Sequence, residues 1–420
     1  MGALNKMTAK IGPPGTDEGH KSLTTEDKTP ITLDFVPARS PVKLFGLSGR
    51  ERIMKMIKDR RADGVVIGAD DPQAASSGDW LIMDEDCLYD GPVIDWLLAG
   101  PDRAVDADGA RAGRVSSKGE QQDAVRAWIK GAGSLPEGID LASPDSIGAA
   151  YRTALRKRET PYCLRISAIG REKAEQRLFA GSYKGVTDFV TKYVWPWPAF
   201  HLTRLCAALK ISPNMVTSLS LVLVLAAFWF FWQGDFASGL LAAWGMTFLD
   251  TVDGKLARTT LTSSKWGNIF DHGIDLVHPP FWYWSWAHGL SSGLEAGVGP
   301  GSSASWLGLS SLDWALWVIL VGYVAGRLME GYFIARFKLE LHIWRRFDSF
   351  FRLIVSRRNP NLILLSLGLL LGDPAAGFLW VALWTIASLA VHGVQIVQAE
   401  RAARNHPLSS WLDGALRQDS

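Results

Sequence analysis

Cysteine is scarce in this 420-residue chain: Cys87, Cys163 and Cys206 are the only three, widely spaced and with no CxxC pair. An odd number at such spacing argues against a disulfide framework and against a cysteine-ligated zinc site. The first residues lack the apolar core of a secretory signal peptide, so the N-terminal half is expected to stay in the cytoplasm. Charge of one sign is also missing. The 44 Lys and Arg nearly balance 42 Asp and Glu, and a net charge of +2 gives no reason to expect a nucleic-acid partner. Lys and Arg are absent from three particular stretches, 233–237, 290–312 and 373–374.

What the chain does have is apolar length, concentrated in its second half. Apolar runs near 214–232, 238–258, 268–289, 313–335, 361–372 and 375–396 predict six membrane helices, the fifth reaching back toward Pro360. Ser212-Pro213-Asn214 opens the first, with Ser212 as its cap. The connections without Lys or Arg alternate with connections holding Arg258, Lys265, Arg336, Lys338, Arg345, Arg346, Arg352, Arg357 and Arg358, and the tail adds Arg401 and Arg404. The positive-inside rule puts that basic side, and both termini, in the cytoplasm. The Gly/Ser-rich connection 290–312 then faces the periplasm or exterior.

Ahead of the membrane part, residues 1–30 lack apolar periodicity and read as a disordered tail. Residues 31–175 alternate short apolar strands (65–67, 80–83) with helical stretches (50–60, 92–98), which predicts a small α/β domain with a partly parallel sheet. Over 176–212, Phe179, Tyr183, Phe189, Tyr193, Trp195 and Trp197 mix with Lys184, Lys192 and Arg204. That mixture suits an amphipathic linker helix, either lying in the membrane interface or packed on the soluble domain. The membrane domain follows over 213–400, with a cytoplasmic tail over 401–420.

The chemistry sits in one stretch: Asp250, Asp253, Gly254, Ala257, Arg258, Gly267, Asp271 and Asp275. Asp250 and Asp253 share one helix face by their spacing, and Asp271 and Asp275 share a face of the next helix. A short turn makes the two helices antiparallel neighbours, so four carboxylates converge at the cytoplasmic end of the bundle. Four anions beside hydrocarbon repel one another and call for a cation. Oxygen-only ligands favour Mg²⁺ or Mn²⁺, and two divalent ions would balance all four charges and grip a diphosphate. Gly254, Ala257 and Gly267 are small where backbones must approach one another or a nucleotide closely. A transporter would instead place its charged site near mid-membrane, on discontinuous helices.

The pattern D-x2-D-G-x2-A-R-x8-G-x3-D-x3-D resembles the signature of the CDP-alcohol phosphotransferase (CDP-alcohol phosphatidyltransferase) family at every fixed position, over roughly 180–396. The resemblance implies an all-α six-helix transmembrane bundle, dimeric, in the inner (cytoplasmic) membrane. It also implies transfer of a phospho-alcohol or phosphatidyl group from a CDP-linked donor to a lipid or alcohol hydroxyl, with release of CMP, in phospholipid or phosphodiester synthesis. It makes Asp250, Asp253, Asp271 and Asp275 the metal ligands and Asp275 the general base. Asp250, Gly254, Ala257, Arg258 and Gly267 would lie against CDP, with Arg258 either touching phosphate or anchoring the helix on the cytoplasmic side. Leu276 stands where some inositol-phosphate and glycerol-phosphate members carry Arg, and Asp271-His272-Gly273 looks closer to choline and ethanolamine transferases. Which partner carries the lipid stays open.

Secondary sites are less specific. Arg357, Arg358 and Lys265 are candidates for a phosphate on the acceptor, while the whole segment 336–358 also suits an anchor on anionic lipid. Arg327 and Glu330, three apart, are expected to pair with each other. The order of the soluble domain resembles a nucleotidyltransferase, with Asp84 or Asp86 at the usual acidic position. Its Gly-rich phosphate loop is missing, however, and Leu47-Ser48-Gly49-Arg50 cannot make an anion nest, so that domain is expected to be degenerate and non-catalytic.

Overall fold

The computed structural model describes residues 31–61, 65–67, 79–116, 119–152, 155–295 and 311–414. The tail expected over 1–30, most of the connection 290–312 and the last six residues lie outside them. Two compact units make up the chain: Met1–Tyr183 with Arg258–Thr262, and Lys184–Ala257 with Ser263–Ser420.

The first unit runs β1 (Ile31–Val36), α1 (Gly49–Arg60), β2 (Val65–Ile67), β3 (Asp79–Asp84), β4 (Cys87–Tyr89), α2 (Gly91–Leu98), β5 (Arg103–Ala107), β6 (Ala110–Val115), α3 (Glu120–Ile129), β7 (Asp140–Ala142), α4 (Pro144–Ile147), β8 (Ala150–Arg152), β9 (Lys157–Glu159), β10 (Cys163–Arg165), α5 (Ile166–Ile169) and α6 (Arg171–Gly181). Its main sheet has the order β2-β1-β3-β6-β5-β7. β1 is parallel to β2 and β3, and β5 is parallel to β7, while β6 runs antiparallel to both β3 and β5. The partly parallel sheet is therefore present. Alternation along the strands feeds two cores. Ile31, Leu33, Leu81 and Met83 face Ile53 and Ile57 of α1 and Val93, Ile94 and Leu97 of α2. Trp80 and Ile82 point the other way, onto Val125, Trp128 and Ile129 of α3. β1 is buried along its whole length even though Thr32 and Asp34 lie on one of its faces, and Asp34 is compensated there by an ion pair with Arg126 of α3.

Ser48 and Glu51 form a capping box at the start of α1. The next residue, Gly49, has a structural reason of its own: a Cβ there would lie 1.9 Å from the carbonyl oxygen of Glu85. From the same helix, buried Arg52 donates to the carbonyls of Leu44 (3.2 Å) and Thr259 (2.8 Å), and Lys55 donates to that of Thr260 (3.1 Å). The stretch 258–262 is thus held to α1 by backbone carbonyls. Burial lowers the Arg52 guanidinium to about 10. Cys87 and Cys163 are buried free thiols, and burial pushes Cys87 up to about 12.

The second unit contains a π-helical turn (Val190–Val194), α7 (Pro196–Ala208), α8 (Pro213–Trp232), α9 (Phe236–Thr259, its last two residues in the first unit), α10 (Lys265–Glu295), α11 (Ser311–Phe337), a 3₁₀ turn (Leu341–Ile343), α12 (Arg346–Phe351), α13 (Arg358–Leu370), α14 (Pro374–Ala403) and α15 (Trp411–Gly414). The single linker helix expected over 176–212 is a correction. The chain there breaks into the end of α6, the π-helical turn and α7. Pro196, at the first position of α7, has no N–H to continue a helix and is preset to start one. Ser212 caps α8 as expected, accepting from the Met215 N–H at 3.3 Å.

Among the described residues, three helices are long and apolar enough to cross a membrane: Pro213–Trp232, Leu312–Phe337 and Pro374–Ala403. Their surfaces agree. Trp317, Val321, Val324 and Leu328 form an exposed apolar stripe along α11 that water would penalise and hydrocarbon would not. The chain is a membrane protein. α9, α10 and α13 fall outside that group for separate reasons. α9 carries Asp250, Asp253, Lys255 and Arg258, α10 carries Lys265, Asp271, Asp275 and the histidines His272, His278 and His288, and α13 has only 13 residues. One apolar core nevertheless draws on Phe231 of α8, Met246 of α9, Trp286 of α10, Ile319 of α11, Leu365 of α13 and Phe378 of α14.

Glycine sets the closest approach in that core. A Cβ on Gly289 of α10 would lie 2.1 Å from the Phe231 carbonyl oxygen, where α8 ends. Gly289→Ala should therefore force α8 and α10 apart and lower the thermal midpoint in detergent, a loss of ~1–3 kcal/mol. Gly331→Ala, whose Cβ would meet nothing within 4 Å, should leave the midpoint unchanged or raise it slightly. In the folded protein at pH 8, Cys87 and Cys163 should resist alkylation by iodoacetamide, and denaturant should release both; mass spectrometry of the labelled peptides reads this directly.

Candidate metal centre

α9 and α10 are joined by a turn in which Leu261 takes a left-handed backbone, φ 52°. Ser264 then caps α10, its hydroxyl accepting from the Gly267 N–H at 3.0 Å. A Cβ on Gly267 would come within 3.0 Å of both that hydroxyl and the side-chain oxygen of Asn214. Gly267 is thus small because the start of α8 passes against it. These local features bring the acidic faces of α9 and α10 together.

Ligand oxygens of Asp250, Asp271 and Asp275 all lie within 4.8 Å of one another. Asp253, one turn along α9 from Asp250, is held separately. Its Oδ2 accepts from the Thr217 hydroxyl of α8 at 2.6 Å. Its Oδ1 is buried with no hydrogen-bond partner among the described residues. A buried carboxylate oxygen left unpaired costs on the order of 1–3 kcal/mol, more when charged, unless something binds it. Gly254 and Ala257 continue the same face of α9 and are half-buried.

The cluster already draws one cation from the protein. Arg358, at the first position of α13, forms ion pairs with both Asp250 and Asp275. Arg357, the residue before it, grips both oxygens of Glu330. Glu330 also pairs with Arg327 at 3.1 Å, as expected from their spacing, and accepts from or shares a proton with Nε2 of His342 at 3.2 Å. Glu330, His342 and His392 form the other group among the described residues whose ligand atoms come within 4.8 Å. Two guanidinium groups on its one carboxylate make that group an ion-pair network, with little attraction left for a dication. Burial holds the His342 imidazole well below its ordinary value, so it is neutral near pH 7.

Arg258 donates through Nε to the Ser182 carbonyl at 2.9 Å, inside the first unit. Lys265 is exposed at the start of α10. Sequence reasoning missed the pairing of Arg358 with the acids and the grip of Arg357 on Glu330. A signal was present: two arginines at the start of a helix oppose its dipole and so call for carboxylates nearby.

An all-carboxylate donor set, packed closely and with one buried oxygen unsatisfied, fits a hard divalent cation such as Mg²⁺ or Mn²⁺. Against that geometry stand the sequence comparisons. Residues 210–387 match the sequence profile described as CDP-alcohol phosphatidyltransferase. Those residues are a CDP-alcohol phosphatidyltransferase domain. The chain is 28% identical to the "Bifunctional IPC transferase and DIPP synthase" of Rubrobacter xylanophilus over 63% of its own length and 52% of that protein. It is 38% identical to the archaetidylinositol phosphate synthase of Pyrococcus horikoshii over 19% of its length and 42% of that protein. Cholinephosphotransferase 1 of Danio rerio matches at 24% over 28% of the chain and 32% of that protein. The chain spans about half the length of the first two relatives or less.

Removing Arg358 should expose how much the acids repel. Arg358→Ala in EDTA should lose on the order of 2 kcal/mol, less than the ~3–5 of a fully buried pair because the Asp275 side chain is 40% exposed. Added Mn²⁺ or Mg²⁺ should restore the thermal midpoint, since a ligand that binds only the folded form stabilises it. A midpoint insensitive to both changes would contradict the close packing of charge.

Proposed function

We propose that this chain is a membrane-bound, divalent-metal-dependent CDP-alcohol phosphotransferase of phospholipid synthesis. The observation that supports this most directly is the convergence of Asp250, Asp271 and Asp275 beside the unpaired oxygen of Asp253, inside a domain of that family. In this reading the six helices α8–α11, α13 and α14 all cross the inner membrane, the basic connections and both termini face the cytoplasm, and the protein is a homodimer. The domain limits are those of the sequence reading, 31–175 for the soluble domain and 213–400 for the membrane domain.

Asp250, Asp253, Asp271 and Asp275 would hold two Mg²⁺ or Mn²⁺ ions. Bound there, the ions polarise the CDP diphosphate and stabilise CMP as the leaving group. Asp275 takes the proton of the acceptor hydroxyl. The hydroxyl oxygen then forms its bond to the phosphorus distal to cytidine as the bond from that phosphorus to the CMP oxygen breaks. Gly254 and Ala257 leave the face of α9 open for the nucleotide, Gly267 lies nearby, and Arg258 contacts phosphate. Arg358 exchanges its carboxylate partners for phosphate oxygen when the site is charged, and Arg357 and Lys265 complete the binding of a phosphate on the acceptor. The likeness to an archaetidylinositol phosphate synthase and to a cholinephosphotransferase puts inositol phosphate and choline among the first alcohols to assay.

The soluble unit is read as a degenerate nucleotidyltransferase. Asp84 is buried, pairs with Arg165 at 3.0 Å and accepts from the Asp86 N–H at 2.9 Å. Asp86 bonds the hydroxyl of Ser167 and lies 3.6 Å from Arg165. Acids spent on internal partners are poorly placed to hold a metal–nucleotide complex.

Purified protein with Mn²⁺ or Mg²⁺ should release CMP from one of CDP-diacylglycerol, CDP-choline, CDP-ethanolamine or CDP-inositol. Asp253→Ala should abolish that release, and Asp275→Asn should reduce kcat ~10²–10⁴-fold. Undiminished turnover in Asp275→Asn would remove the general-base role. With CTP and sugar or polyol phosphates the full-length protein should liberate no pyrophosphate; pyrophosphate release would show the soluble unit to be catalytic.

A further inference from the structure

One buried polar atom in the second unit has no part in the chemistry described so far: Nε2 of His278. His278 is 4% exposed, and its Nδ1–H donates to the Ile274 carbonyl at 2.7 Å. A carbonyl only accepts, so in the neutral imidazole the proton stays on Nδ1 and Nε2 is an acceptor. That acceptor is buried with no hydrogen-bond partner among the described residues. The ring is also held edge to face by Trp282, at 4.5 Å between centroids, and Trp282 is tied in turn to the Val224 carbonyl at 3.0 Å.

Its place on the helix says what can meet it. Asp271, Asp275, His278 and Trp282 recur at steps of four, three and four, so they share one face of α10. His278 stands about 4.5 Å along the axis beyond Asp275, away from the turn that joins α9 to α10. On α9, Met246 stands one turn beyond Asp250 in the same direction. Arg358 reaches both levels. It pairs with Asp250 and Asp275, and its Nη1 lies 3.6 Å from the Met246 sulfur. Arg358 and Asp250 both act electrostatically on the His278 ring.

Asp250 and Asp275 cannot serve Arg358 and divalent cations fully at once. A guanidinium keeps its charge. Cations at the cluster repel it and take its acceptors, which leaves buried N–H groups in need of another partner. The Met246 thioether is a weak acceptor, whereas an imidazole nitrogen with a free lone pair is a good one. His278 lies outside the group of Asp250, Asp271 and Asp275 whose ligand atoms come within 4.8 Å, so it acts through Arg358 rather than as a ligand.

We propose that His278 is a positioning residue that receives Arg358 when divalent cations occupy the carboxylates, its Nε2 holding one edge of the guanidinium and leaving the other edge for phosphate. The inference rests on the metal-dependent transferase reading and deepens it by giving the arginine a second resting place. Without His278, Arg358 returns to the acids and competes with the cations for them.

Mn²⁺ binding to the full-length protein in detergent, read by electron paramagnetic resonance, tests this without turnover. His278→Phe keeps a planar ring and removes the acceptor. It should raise the Kd for Mn²⁺ on the order of tenfold, the loss of one charge-assisted hydrogen bond. Its thermal midpoint in EDTA should not fall, since Nε2 has no partner to lose there. His278→Gln, whose amide oxygen reaches the level of Nε2, should bind Mn²⁺ as the wild type does. In an Arg358→Ala background, His278→Phe should leave Kd unchanged. Failure of His278→Gln to restore affinity, the same loss with Arg358 absent, or a midpoint that falls equally in EDTA and in Mn²⁺ would each overturn the proposal. No Mn²⁺ binding by the wild type would remove the metal centre and this proposal together. Saturable wild-type binding that His278→Phe leaves unchanged would remove the role of His278 alone.

Discussion

Mutual repulsion among carboxylates is the constraint from which the rest of the second unit follows. Four Asp side chains are carried on two neighbouring helices, three of them with oxygens within 4.8 Å of one another. Such a cluster folds only if positive charge reaches it and if the helices carrying it are held rigidly enough to resist the repulsion. Arg358 supplies charge from α13, and Thr217 supplies a hydroxyl from α8. One guanidinium does not match four carboxylates, which is why the proposed function gives the remaining charge to divalent cations.

Rigidity comes from close helix contact. Small residues stand where the backbones meet: Gly267 against Asn214, Gly289 against the end of α8, and Gly368 against Gly377, where an added Cβ would lie 2.5 Å from a backbone carbon. Capping serine side chains fix where α8 and α10 begin, and hence at what level their polar residues stand. Glu330 does the same for Arg357, and through the chain for Arg358, which follows it at the start of α13.

Much of this was legible in sequence because it is local. The six apolar runs anticipated the helices α8–α11, α13 and α14 to within a few residues at most ends, since apolar runs and caps both leave marks in the chain. The acid spacing likewise fixes which carboxylates share a helix face. The strands at 65–67 and 80–83 were readable from their β-branched and apolar runs. What was not legible is long-range. Arg358 meets partners 83 and 108 residues away, and no periodicity encodes that. The break of the 176–212 segment was hidden by its aromatic–basic composition, which looks helical throughout while Pro196 resets the chain. Gly49, unremarkable as part of a failed phosphate loop, is required by the nearness of the Glu85 carbonyl.

The central claim is that the carboxylates of α9 and α10 form a two-ion centre. Mn²⁺ titration followed by electron paramagnetic resonance measures this without any substrate. The account predicts two ions bound per chain, with a spin-coupled signal, and loss of at least one in Asp253→Ala and in Asp271→Asn. No saturable binding, or the same binding in both variants as in the wild type, would contradict it.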